Sequence, residues 1–306
     1  MPSATVIELE ANDAGLLTRS HGVLLNGAFY TNNRARERSG QDLAAVRLGN
    51  ILHDSYRSKK PFTISPLLGL RYDESGVADF HPGQKCYFRV TCLDDLAESK
   101  LNNWLKDLEE NNTIYLSTQY PQQIPGSAEN RTDFLLKISP SSWQVKHVWQ
   151  NGTDHLLAGK MDYASFRSAV EEEGPATGWK VHLMTPTTFH AGHGNQTFPF
   201  PTPELLIRSW NRAWQEFCNI PLSTRCEEIA RSSLQIVDYQ IDAVKLNFYR
   251  STYLFSKGQV TLKQCASIPR AERIDLAVLF KFAFFCGTGF RTTQGLGLTR
   301  VEEFRK

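Results

Sequence analysis

The residues best placed to do chemistry lie near the end of the chain, in Gly287-Thr288-Gly289-Phe290-Arg291-Thr292-Thr293-Gln294-Gly295-Leu296-Gly297-Leu298-Thr299-Arg300. Two Gly-x-Gly units flank a short segment that carries Arg291, Thr292 and Thr293. Glycines let backbone N–H groups come close to phosphate oxygens. Arg291 and Arg300 supply charge, and threonine hydroxyls can bond to phosphate. A dinucleotide fingerprint would need a preceding strand, a third glycine at Thr292 and a following helix. A Walker A loop would need Gly-Lys-Ser/Thr; neither pattern is present. The competing reading is a glycine-rich turn into a terminal strand. Of the eight histidines, His182, His190 and His193 invite a metal. However, His190 and His193 lie in a glycine-rich loop without a nearby acid or cysteine, so no metal site is expected.

Alternating residues predict strands at Thr5 to Glu10, Phe62 to Leu70 and Cys86 to Leu93, with further strands at Thr113 to Thr118 and Phe134 to Ile138. Helical segments are expected over residues 14 to 31, 41 to 53 and Asp94 to Leu108, the last with Leu101, Trp104, Leu105 and Leu108 on one stripe. Asp73 to Gly76 and Pro82-Gly83 read as turns. The order is that of a βαββαβ ferredoxin-like unit. A second copy is predicted from strands at Trp179 to Thr185, Val237 to Phe248, Gln259 to Cys265 and Leu298 to Phe304. Its helices are Pro203 to Phe217 and Ile274 to Phe285. The fold class is therefore α+β, two tandem ferredoxin-like (RRM-like) domains, at 1–172 and 173–306. The boundary falls near Glu171 to Gly178, where an acidic cluster and Gly174, Pro175 and Gly178 break the pattern. Trp210, Trp214 and Phe217 are at helical spacing and read as core.

A chain of 306 residues with 41% hydrophobic and 22% charged residues suits two globular domains. No run of about 18 apolar residues exists, and the N-terminus lacks a signal-peptide pattern. Six scattered cysteines without a CxxC pair suit reduced thiols in a cytoplasmic protein. Net charge is only +2, but it is unevenly spread: residues 34 to 60 carry seven basic and three acidic residues, and 257 to 306 nine and four. Residues 94 to 110 reverse this, with six acids and two lysines. That distribution suits a basic nucleic-acid face with an acidic back.

The glycine-rich stretch behind an apolar helix resembles the signature loop of the RAMP superfamily. More narrowly, it resembles the CRISPR repeat-processing endoribonucleases, the sixth Cas family. Two further blocks agree. One is Leu52-His53-Asp54 with Lys60-Pro61-Phe62-Thr63-Ile64-Ser65-Pro66-Leu67. The other is Met184-Thr185-Pro186-Thr187-Thr188-Phe189, then Pro199-Phe200-Pro201-Thr202-Pro203, leading to Trp210 and Trp214.

The resemblance implies metal-independent RNA cleavage, in which the ribose 2′-hydroxyl attacks its own phosphodiester and leaves 2′,3′-cyclic phosphate and 5′-hydroxyl ends. Histidine suits the proton transfers and lysine the charge stabilisation. His53 is the expected base: it ends a helical segment in the basic stretch, where the resemblance also places the family's histidine. Lys59 or Lys60 can reach the same phosphate, Tyr30 or Tyr56 can assist, and His21 is the rival base. Arg34, Arg36, Arg38 and Arg47 are expected on the RNA backbone. Gly287, Gly289, Arg291, Thr292, Gly295, Gly297 and Arg300 are expected around the cut. The implied partner is CRISPR repeat RNA, expected as a stem-loop, with an effector complex as a further partner; no cofactor, metal or membrane is called for. The alternatives are a noncatalytic guide-RNA-binding subunit of such a complex, or an unrelated ferredoxin-like protein that binds a small phosphorylated ligand.

Overall fold

The computed structural model describes residues 1–31, 59–116, 140–190, 196–248 and 251–305. The expected helix at 41 to 53, the strand at Phe134 to Ile138, and His53, Tyr56, Arg34, Arg36, Arg38, Arg47 and His193 lie outside these residues.

The first sheet is built on β1 (Ser3–Ala11), flanked by β5 (Lys85–Cys92) and β7 (Ser141–Trp149). β3 (Phe62–Ile64) lies outside β5, and β6 (Thr113–Leu116) lies outside β7. The two-residue β8 (Gly159–Lys160) pairs with the start of β1. All these pairings are antiparallel. Ile7 and Leu9 of β1 turn into a core with Phe88 and Val90 of β5. They pack there beneath α1 (Gly22–Thr31) and α2 (Asp95–Asn111). Asp94 caps α2 by accepting from the Ala97 N–H at 2.8 Å, and Leu101, Trp104 and Leu108 are buried, as their spacing requires.

Two expectations in this half need correction. Residues 14 to 31 are not one helix: Gly15–Thr18 forms β2, paired with β4 (Val77–Phe80), and the helix starts only at Gly22. A four-residue strand, Gly-Leu-Leu-Thr, has no alternation to set against a helical pattern. The expected strand Phe62 to Leu70 stops at Ile64. Pro66 has no N–H to offer, and the Leu67 N–H is taken by the His21 ring at 2.7 Å. Beyond these, β7 was not anticipated: it lies beside β1, and the expected strand at Thr113–Leu116 is its outer partner.

The second sheet has the order β12-β13-β9-β14, from β9 (Gly178–Thr187), β12 (Leu234–Phe248), β13 (Ser251–Gln264) and β14 (Thr299–Phe304). With α4 (Pro203–Phe217) after β9 and α6 (Arg270–Cys286) after β13, this is the second βαββαβ unit. Trp179, Val181 and Leu183 alternate onto the helix-covered face, where Trp179 stacks on Phe280 with ring centroids 4.2 Å apart. Trp210 and Trp214 are core residues, as their spacing indicated. Two helices were not anticipated: α3 (Tyr163–Glu173) and α5 (Cys226–Ser233). Phe166 and Val170 of α3 lie in the same core as Trp179 and Phe282. Glu171 to Glu173 form its last turn, where the helix dipole disfavours acids. Lys281 and Arg305 answer Glu173 at 3.0 and 2.7 Å, and the Lys281 hydrogen bond leads the lowering of its pKa.

The two halves meet along the glycine-rich segment. Leu296 packs with Val244, Leu246 and Phe255 of the β12–β13 hairpin and with Val23 of α1. Leu298 packs with Val6 of β1 and with Leu157 and Ala158. Between the two leucines' clusters the backbones of Gly22 and Gly295 touch: a Cβ on Gly22 would fall 2.5 Å from the Gly295 Cα. Gly295 also has φ +90°, and its N–H donates to the Ile64 carbonyl at 3.0 Å. A Gly295→Ala variant should therefore lose more than the roughly 1–3 kcal/mol that a left-handed alanine costs. Gly83, at φ +81° with no atom within 4 Å of where a Cβ would stand, should lose only that amount on change to Ala. Urea unfolding of the two variants beside the parent measures the difference; equal losses would mean that the crossing is loose.

Candidate functional site

The glycine-rich segment leaves α6 through Gly287 and returns as β14, with a short 3-10 turn at Thr292–Gln294 between them. Its departure is held by Arg89 of β5, a buried side chain that crosses from the other half. The Arg89 Nε donates to the Leu157 carbonyl at 2.6 Å and Nη2 to the Phe284 carbonyl at 2.7 Å, with the guanidinium 4.2 Å from the Phe284 ring centre. Phe284 is in the last turn of α6, where a cation meets the negative end of the helix dipole. Burial pulls the Arg89 pKa down to about 9, which still leaves it charged at neutral pH.

The amides of the four glycines, and those of Thr288, Phe290 and Leu298, donate within the protein. Thr288 donates to the Gly297 carbonyl at 2.8 Å, Phe290 to Thr188 at 2.9 Å, and Gly297 to Pro186 at 3.1 Å. Gly289 donates to the Ser209 hydroxyl at 2.8 Å and Leu298 to the Thr185 hydroxyl at 2.9 Å. The glycines thus serve close packing rather than a phosphate cradle. At Gly297 a Cβ would lie 2.1 Å from the Thr288 carbonyl oxygen. Trp210 Nε1 donates to Thr288 Oγ1 at 2.8 Å, and that hydroxyl meets Thr299 Oγ1 at 2.6 Å, tying α4 to both arms of the loop. The half-exposed part is the tip, Phe290 to Gln294. There Arg291 adopts φ 61°, its Nη1 donates to Gln294 Oε1 at 2.7 Å, and its guanidinium lies 4.7 Å from the Phe290 ring centre.

The other candidates separate. Lys59 is turned inward: its Nζ donates to the Ser209 carbonyl at 3.0 Å, and loss of water, more than the nearby Arg212, pushes its pKa down. Ser209 therefore joins Lys59 to Gly289, a link with no signal in the sequence beyond a serine on a buried helix face. Lys60 is half-buried where the chain enters β3, and Tyr30 is in the last turn of α1. Arg300 is exposed on β14 and pairs with Glu302 at 3.2 Å, away from the loop tip. His182 is opposite it on β9, 3.3 Å from the same carboxylate.

His21 is a buried support and no rival base. Its Nε2 accepts from the Leu67 N–H at 2.7 Å, while Nδ1, 2.7 Å from the Thr18 carbonyl, donates there. Burial drives its pKa down to about 4, against the weaker upward pull of the Thr18 bond. It thus holds the start of α1, and with it Gly22, as a neutral ring.

The chain folds as tandem ferredoxin-like sheets closed by a C-terminal glycine-rich loop. A solved RAMP protein described as binding different RNA substrates shares this fold, with TM-score 0.56 at 11% identity over 98% of this chain and 100% of that one. Residues 181–299 match the family model described as CRISPR-associated endoribonuclease Cas6. A Cas6 product complex superposes with TM-score 0.70 at 22% identity, over 99% of this chain and 100% of that one. The Thermus thermophilus Cas6 gives 0.66 at 20% identity, over 99% and 98%. The C-terminal half therefore carries the Cas6 sequence pattern, on a fold that solved Cas6 structures share from end to end. No curated protein sequence matches the chain. Among the described residues, no helix is long and apolar enough to cross a membrane.

The neutral His21 makes a pH prediction. Between about pH 6.5 and 4 the unfolded chain binds a proton at His21 and the folded chain does not, so stability should fall as pH falls through this window. The His21 share of that loss approaches about 3 kcal/mol by pH 4. Urea unfolding across the window should therefore show a steeper decline for the parent than for His21→Gln. Parallel declines would show that the ring titrates like an exposed histidine.

Proposed function

We propose that the chain is a metal-independent endoribonuclease that cuts CRISPR repeat precursor RNA into guide RNAs. The observation that carries this reading is the family match across residues 181–299, which contains the whole glycine-rich loop with Arg291 and Thr292 at its half-exposed tip. Arg291 neutralises a phosphate near the cut, and Thr292 donates a hydroxyl hydrogen bond. The glycines hold this tip rigidly against both sheets. His53 takes the 2′-hydroxyl proton, with Tyr30 or Tyr56 orienting that hydroxyl. Lys60 is the better placed of the two lysines to face the phosphorane, because Lys59 is spent on Ser209. Arg34, Arg36, Arg38 and Arg47 track the backbone of a repeat stem-loop. The products carry 2′,3′-cyclic phosphate and 5′-hydroxyl ends, and no step requires a metal.

The test is cleavage of labelled repeat RNA by purified protein in excess EDTA, beside His53→Ala. One specific cut that yields a cyclic phosphate should appear with the parent and fall roughly a hundredfold or more in the variant, with binding retained. Tight binding without a cut by the parent would favour the noncatalytic guide-RNA-binding subunit instead. In the same assay Arg291→Ala should weaken binding and reduce the salt dependence by about one counterion. An unchanged salt slope would remove Arg291 from the interface.

A further inference from the structure

We propose that His190, Phe290 and Arg291 form a seat for one unpaired base of the RNA, beside the glycine-rich loop; this rests on the reading of the chain as an RNA-processing protein. Three separate elements build the seat. His190 ends the short strand β10 (Phe189–His190), which is paired with β11 (Thr197–Phe198), and its ring centre is 4.2 Å from that of Phe290. Arg291 lies 4.7 Å from the Phe290 ring centre and 5.7 Å from that of Tyr253 on β13. Tyr253 and Phe290 are 6.4 Å apart.

Phe290 belongs to none of the buried apolar clusters, and it stays half-exposed while its neighbours Leu296 and Leu298 are buried. His190 is exposed. An aromatic ring kept at the surface under a cation does nothing for a core, whereas it matches the π-face of a base next to a phosphate. The backbone points the same way. Among the described residues only Asn112 and Arg291 have positive φ without being glycine, and Asn112 closes a helix. At Arg291 the left-handed turn carries the guanidinium over Phe290, where Gln294 holds it. Strain of this kind persists where surrounding structure imposes it and gathers at functional sites. Bases within a stem are already stacked on one another, so the seat selects a nucleotide outside the stem.

The experiment uses the full chain and two repeat RNAs, one with its unpaired flanks and one trimmed to the stem-loop, with 2-aminopurine placed singly at each unpaired position. Binding should quench one position in the parent, and Phe290→Leu or His190→Ala should abolish that quench. Affinity for the flanked RNA should fall roughly tenfold in these variants, as loss of one stacked base implies, while affinity for the trimmed RNA stays unchanged. Phe290→Tyr should restore both signals. No quenched position in the parent, or equal loss on both RNAs, would overturn the seat, the second result making Phe290 a prop of the loop. Unaltered affinity of Phe290→Leu for the flanked RNA would also overturn it, while parental cleavage left the nuclease reading standing. Failure of the parent to bind either RNA would remove both proposals.

Discussion

Where Gly22 and Gly295 cross, two backbones meet with nothing between them, since a Cβ on either would fall within 2.8 Å of the other's Cα. Such a contact tolerates no side chain and little displacement. It fixes the start of α1 against the returning arm of the glycine-rich loop, and so fixes one ferredoxin-like unit against the other. Leu296 and Leu298, which follow immediately, then enter two apolar clusters drawn from both halves. Burial of apolar area supplies the attraction, and the glycine crossing sets the register.

Around this crossing, polar side chains tie the halves together and brace the first of them. Arg89 reaches from the first sheet to the end of α6, and Lys59 reaches to α4. His21 spans Thr18 and Leu67 as a neutral ring. A buried cation is tolerable only with well-aimed acceptors, and Arg89 finds two backbone carbonyls, while the half-buried Lys59 finds one. The result is a frame tied together by buried apolar clusters and by polar contacts between its halves. The loop is half-exposed at its tip, Phe290 to Gln294, and buried from Gly295 to Thr299.

Much of the fold was legible because its periods are strong. α4 begins and ends where its apolar stripe and Pro203 put it, and the second βαββαβ unit follows the predicted order. The first unit was harder. Pro66 and a ring nitrogen of His21 end β3 early, and β2 is four residues long; against the second core, α3 hides behind an acidic C-terminal turn whose partners are more than 100 residues away. None of these partners is local, so no window of sequence contains them.

The site divides along the same line. Residue types and order alone determined the class of fold, the glycine-rich loop as its distinguishing segment, and Arg291 and Thr292 as its polar tip. Only the tertiary structure decided what the glycines are for: their amides bond inward, and their missing side chains make room for Gly22 and for the Thr288 carbonyl. It also turned Lys59 inward and His21 into a support, and gathered His190, Phe290 and Arg291 onto one patch. The physical reason is that sequence records which groups a chain can offer. Whether a donor faces water or a protein acceptor depends on contacts between residues far apart in the chain.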